Sequence, residues 1–146
     1  MIKKRTFAID IISAALLLLF LYTAISKLAD QANFKDVLLH SPVLKSFAGI
    51  VAWGLPAIEI VIALLLFLPA TRNKGLYAAL VLLVLLTLYL ICMIIFAPSL
   101  PCNCGGVIQR LSWTQHIFFN LFFILLSVAG IILSRRRFKP ESSAPT

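Results

Sequence analysis

The chain has 146 residues, 62% of them hydrophobic and 12% charged, and a formal net charge of +8. A soluble domain carries about 25% charged residues, and one small core cannot bury four helices that are apolar on every face. The positive charge clusters at chain ends and short loops with no basic–aromatic groove, which argues against a nucleic-acid partner. Long apolar runs of about 18 or more residues read instead as membrane spans. The predicted class is an all-α integral membrane protein, a bundle of four transmembrane helices.

The first five residues contain Lys3, Lys4 and Arg5, and the first span is expected over 7–28. Ala24-Ile25-Ser26 is a small-x-small pattern of the kind cut in secretory signals. The apolar region is nevertheless longer than the roughly 7–15 residues of a signal peptide, so an uncleaved anchor helix is expected. Asp10 lies near one end of this span and reads as structural. Lys27 lies at the other, where its stem is predicted to snorkel toward the headgroups. Residues 33–40 are predicted as a short interfacial helix capped by Asn33. Ser41-Pro42 reads as a helix start with Pro42 at the first helical position. The second span is expected over 47–68, interrupted and kinked at Pro56, with Glu59 near mid-membrane.

A polar turn with Arg72 and Lys74 follows, then a third span over 76–97 that carries Thr87, Tyr89 and Cys92. Pro98 ends it. The segment Leu100-Pro101-Cys102-Asn103-Cys104-Gly105-Gly106 comes next, and the fourth span is expected over 113–133. Ser112 and Gln115 fit a capping box at its start, and Trp113 fits an interfacial belt. A basic patch from Arg135 to Lys139 reads as a stop-transfer signal, and residues 140–146 as a disordered tail. The four-helix membrane domain thus covers 1–139. Two helical hairpins with short turns suggest a left-handed four-helix bundle.

Four spans put both termini on one side. With the termini inside, nine basic residues flank the inner face: Lys3, Lys4, Arg5, Arg72, Lys74, Arg135, Arg136, Arg137 and Lys139. Four flank the outer face: Lys27, Lys35, Lys45 and Arg110. Basic residues favour cytoplasmic flanks, so both termini are expected in the cytoplasm of a bacterium, with the chain in its inner membrane. Cys102 and Cys104 would then face the oxidising periplasm.

The chain has three cysteines, Cys92, Cys102 and Cys104, too few for a disulfide scaffold. Two cysteines one residue apart lie within reach of a disulfide. The chain-entropy expression gives such a bridge about 1.5 kcal/mol, against about 3 for a fifteen-residue loop. A Cys102–Cys104 bridge is therefore a weak staple and a labile, exchangeable bond. His116, in the first turn of the last helix, is disfavoured as imidazolium by the helix dipole. As a neutral base it could take a thiol proton and return it. The bland readings are an incidental or structurally bonded cysteine pair and an interfacial histidine. Cys-x-Cys with His116 and His40 could also hold copper or zinc, but no metal site is assigned.

Asn120 lies one turn deeper than His116 on the same face. Glu59 is an ionisable group inside a span, which is a functional-site hypothesis by default. It is expected to be neutral and to hydrogen-bond Thr87, Tyr89 or Asn120, with a purely structural interhelix bond as the alternative. Cys92 is expected to pack as a small apolar residue, and to serve as a third thiol only if it lies near the outer end of its helix.

Several stretches together resemble the MauE/DoxX group of small four-span membrane proteins. Tyr22 to Asp30 with Phe34 is similar to that group's Lys-Leu ending of the first span and its downstream Phe. Leu55-Pro56-Ala57-Ile58-Glu59 is similar to its Pro-x-x-Glu signature. Cys102-Asn103-Cys104-Gly105-Gly106 resembles its Cys-Gly-Cys-Phe-Gly loop, with Asn103 and Gly105 as departures, and 113–120 resembles its last-span start. The match runs over about 7–133. The resemblance implies a periplasmic Cys-x-Cys and thiol-disulfide exchange in protein maturation, in methylamine utilisation for MauE itself. DoxX-like relatives imply a link to quinones. The expected function is a possible thiol-disulfide oxidoreductase that passes disulfides or electrons to a periplasmic client or thioredoxin-like protein, with a quinone as candidate oxidant. A non-catalytic accessory or assembly subunit, and a small metal- or solute-handling membrane protein with Glu59 in a pathway, are the alternatives.

Overall fold

The computed structural model describes residues 2–96 and 112–138, with side chains described for 3–96 and 112–136. Among these residues all regular structure is helical: α1 (Ile2–Ala29), α2 (Gln31–His40), a 3-10 turn (Lys45–Phe47), α3 (Ala48–Phe67), α4 (Arg72–Phe96) and α5 (Trp113–Phe138). Helices α1, α3, α4 and α5 are each long and apolar enough to cross a membrane. They close into a ring in chain order: α1 packs most extensively on α3 and α4 on α5, while α3 meets α4 and α5 returns to α1. Short α2 lies against α3 and the end of α1.

The pattern of burial suits lipid as solvent. Large apolar side chains such as Ile50, Trp53, Phe118 and Leu125 stand on the outside, whereas Ser13, Thr23, Thr87, Asn120, Ser127 and Ser134 are buried. Between helices in lipid, small and polar residues carry the packing. Leu16, Phe20, Ile62, Leu66, Leu76 and Leu83 form the apolar centre. Gly75 shows how close the second hairpin is: a Cβ there would meet the backbone nitrogen of Leu66 at 2.9 Å.

Each end of the bundle has its own device. Where α1 begins, α3 turns into α4 and α5 ends, Arg72 pairs with Asp10 and Ser134 hydrogen-bonds Asn73. Arg135 donates to the Tyr77 hydroxyl at 2.8 Å. The opposite end is capped by α2, whose Phe34 and Leu38 pack on Ala48 and Ala52 of α3.

Several local expectations need correction. Asp30, not Asn33, stands at the start of α2, which begins two residues earlier than expected; Asn33 instead donates from Nδ2 to Asp30 Oδ2 at 3.0 Å. Pro42 lies in a turn, and the helix starts only at Ala48. Ser41 stabilises that turn: its Oγ accepts from the backbone N–H of Val43 and of Leu44 and donates to Met93 Sδ at 3.3 Å. Pro56 lies inside α3, which is helical on both sides of it, and the expected interruption is confined to one backbone hydrogen bond. A helical proline leaves the carbonyl four residues back without its donor. Here that carbonyl belongs to Ala52, and it accepts from Gln31 Nε2 of α2 at 3.0 Å. The vacated carbonyl thus becomes an anchor for the cap. The capping box expected at α5 is present, with Ser112 N–H to Gln115 Oε1 at 3.1 Å and Gln115 N–H to Ser112 Oγ at 3.3 Å.

Candidate functional site

The end of the bundle covered by α2 contains a cavity of about 490 Å³. Ligand pockets span roughly 300–1,000 Å³ and are mostly apolar, with a few convergent polar groups. This one follows that pattern. Its apolar wall comes from leucines of α1, α3 and α4 with Phe20, Phe34 and Phe119. Its polar side chains come from every helix of the ring: Thr23 and Lys27 from α1, Glu59 from α3, Tyr89 and Cys92 from α4, and His116 and Asn120 from α5.

Lys27 and Glu59 form the centre of this polar set. Lys27 Nζ donates to Glu59 Oε1 at 2.7 Å, with the two side chains 5% and 1% exposed. Two expectations fall here. Lys27 does not snorkel, because the contact of α1 with α3 offers its ammonium a buried carboxylate. Glu59 takes Lys27 as partner instead of Thr87, Tyr89 or Asn120. Asn120 Nδ2 instead donates to Thr87 Oγ1 at 3.3 Å, and the Thr87 hydroxyl donates back to Leu83 at 2.7 Å, which ties α5 to α4. The Lys27 ammonium also stands 5.9 Å from the Phe34 ring centre, a cation–π contact with the cap.

One atom of the pair is left over. Glu59 Oε2 is buried with no hydrogen-bond partner among the described residues. The Thr23 hydroxyl lies beside the carboxylate, but its proton goes to the Phe20 carbonyl at 3.2 Å. Buried polar groups are nearly always satisfied by protein, water or ligand. Protein, water or ligand outside the described residues can complete this oxygen's hydrogen bonding.

His116 is buried in the first turn of α5 and lines the cavity with Asn120 one turn on. Cys92 is a free thiol near the end of α4, on the same cavity. His40 lies elsewhere: it is exposed, with Nδ1 against the Asp36 carbonyl at 2.8 Å. Among the described residues no three His, Cys, Asp or Glu side chains gather as a metal site. Asp10 is far from the cavity, at the Arg72 end. Cys102 and Cys104 lie outside the described residues. Reasoning along the chain singled out Glu59, Asn120 and His116 but missed Lys27 and Thr23 as lining residues. The available signal was the pair itself: an ionisable Lys in the first span and an ionisable Glu in the second, each in need of a partner.

Neither a curated protein nor a solved structure matches the chain. The description of a known family, methylamine utilisation protein MauE, matches residues 5–133. That match covers all four long apolar helices, and the chain is a multi-pass membrane protein that belongs to the MauE family.

Proposed function

We propose that this protein is a bacterial inner-membrane thiol-disulfide exchange protein that acts in maturation of an extracytoplasmic client through Cys102 and Cys104. The observation that carries the reading is the cavity at one end of the bundle, lined by His116 and Cys92 from the two helices that the segment with the cysteine pair connects. Only residues 97–111 separate Phe96 of α4 from Ser112, so covalent connectivity tethers the pair to that end. The charge count supports a periplasmic location, and burial of Lys27 in its ion pair removes one of the four basic residues on the outer side.

In the exchange, a client thiolate attacks one sulfur of the Cys102–Cys104 disulfide and forms a mixed disulfide. The client's second thiolate then attacks its own sulfur in that bond. The client leaves with a disulfide and the pair remains as a dithiol, so two electrons and two protons have moved to this protein. His116 takes and returns the thiol protons. A lipid-soluble two-electron oxidant such as a quinone restores the disulfide. The family's link with methylamine utilisation names the process to test.

Maleimide gel shifts on native membranes, with and without reductant, should show Cys102 and Cys104 in both oxidised and reduced forms. Cys102→Ser and Cys104→Ser should each abolish methylamine-dependent growth of the source strain. Full growth in both variants would sink the exchange role in favour of an assembly subunit.

A further inference from the structure

We infer that the seam between α4 and α5, at the end where α3 turns into α4, holds the headgroup of an anionic phospholipid against Arg135 and Lys74. This site is separate from the cavity and exists whether or not Cys102 and Cys104 exchange.

Charge at this end of the bundle is not balanced. The chain has five Asp and Glu against thirteen Lys and Arg. Asp30, Asp36 and Glu59 lie toward the α2 end, whereas Lys3, Lys4 and Arg5 of α1, Arg72 and Lys74 of α4, and Arg135 and Arg136 of α5 lie at the opposite one. Among the described residues Asp10 alone is acidic there, and Arg72 takes it. Neither α1 nor α4 has an acidic residue in its first turn. The positive pole of α4 therefore adds to the charge of Lys74 instead of offsetting it.

Two of these cations are brought to one place. Ser134 hydrogen-bonds Asn73, which sets the next residues, Arg135 and Lys74, at one level of the seam. Arg135 Nε donates to the Tyr77 hydroxyl at 2.8 Å, and its guanidinium carbon stands 5.8 Å from the centre of that ring. Tyr77 uses only Nε, which leaves the two terminal nitrogens for the bidentate grip that a guanidinium gives a phosphate. Lys74 is one turn before Tyr77 on the same exposed face of α4.

Beyond the cations the surface becomes hydrocarbon. Tyr77, Val81, Leu85 and Leu88 follow one another along the outward face of α4, and Ile132 is exposed one turn from Arg135 on α5. The occupant therefore carries an anionic head and long apolar tails. Tyrosine belongs at headgroup level, and basic sites between helices at a membrane surface bind anionic lipid heads. A zwitterionic lipid brings a cation of its own, which would meet Lys74 and Arg135 with no carboxylate beyond the paired Asp10. An acidic peptide or a free phosphate would leave the apolar face unused.

Native mass spectrometry of the full chain in detergent, titrated with dioleoylphosphatidylglycerol or dioleoylphosphatidylcholine, tests the site. A single molecule of the glycerol lipid should bind about tenfold more tightly than the choline lipid and raise the melting temperature further. Lys74→Gln/Arg135→Gln should weaken the glycerol lipid about tenfold and leave the choline lipid unchanged. Tyr77→Phe removes no charge but releases Arg135, and should weaken the glycerol lipid about threefold. Lys35→Gln/Lys45→Gln removes the same charge from the other end and should change nothing. Far-UV circular dichroism checks the fold of each variant. Equal affinity for the two lipids would overturn the proposal. So would an equal loss in Lys35→Gln/Lys45→Gln, which would leave only diffuse attraction, unchanged affinity in Tyr77→Phe, or displacement of the lipid by inorganic phosphate at equal concentration.

Discussion

Lys27 and Glu59 show how one residue's behaviour depends on a partner 32 positions away. Removing one member of a buried ion pair strands the other charge and costs about 3–5 kcal/mol, whereas replacing both with apolar residues is often neutral or stabilising. Lys27→Met alone should therefore lower stability by about that amount, while Lys27→Met/Glu59→Leu should restore most of it; unfolding in mixed micelles measures both. Gln31 makes a subtler point. Its bond to Ala52 exists because Pro56 vacates that carbonyl. Gln31→Leu should cost about 1 kcal/mol in the native background. In a Pro56→Ala background residue 56 regains an N–H for the Ala52 carbonyl, so the same change should cost much less. A cycle of the two substitutions reads that coupling directly.

At the scale of elements, the helices are set by local signals and then fixed by close approaches. α5 starts at Trp113 because Ser112 and Gln115 satisfy each other's backbone N–H. Ser112→Ala should cost about 1 kcal/mol and loosen the first turn of α5, visible as faster hydrogen exchange of the Gln115 and His116 amides. The turn between α3 and α4 is held by Thr71, whose Oγ1 donates to the Leu65 carbonyl at 3.0 Å, and by Gly75. Gly75→Ala places a methyl group against the Leu66 backbone, which can move only with its helix. Overpacking of this kind costs about 1–3 kcal/mol, so Gly75→Ala should lower the melting temperature, and a normal melting curve would show the hairpin to be looser than described. α2 is the element that closes the cavity end, through Phe34, Leu38 and the Gln31 anchor.

At the scale of the molecule, the bundle buries an apolar centre of leucines and Phe20 together with a few polar side chains, turns other bulky apolar side chains outward, and has unlike ends. One end is basic and cross-linked by Asp10–Arg72, Asn73–Ser134 and Tyr77–Arg135. The other encloses the cavity and continues into the segment that carries Cys102 and Cys104. In the proposed orientation the cross-linked end is cytoplasmic. Fusions of alkaline phosphatase after residue 106 should be active and fusions after residue 71 inactive, since that enzyme works only where disulfides form. The reverse pattern would put the cysteine pair in a reducing compartment.

The membrane class, the four helices and the cap of α5 were legible in the chain because they depend on composition and on spacings of a few residues. The Pro-x-x-Glu pattern and the Cys-x-Cys loop likewise pointed to the family that residues 5–133 match. The start of α2 and the role of Pro42 were misread because several polar residues in a row can each serve as a cap, and packing of α2 on α3 selects among them. The partner of Glu59, the burial of Lys27, the use of the Ala52 carbonyl and the gathering of His116, Asn120 and Cys92 around one cavity came only from the tertiary structure. Each joins groups from different helices, and lipid has no water to satisfy a stray polar atom. Such a group takes whichever partner the packing brings within reach, and local spacing carries no record of that choice.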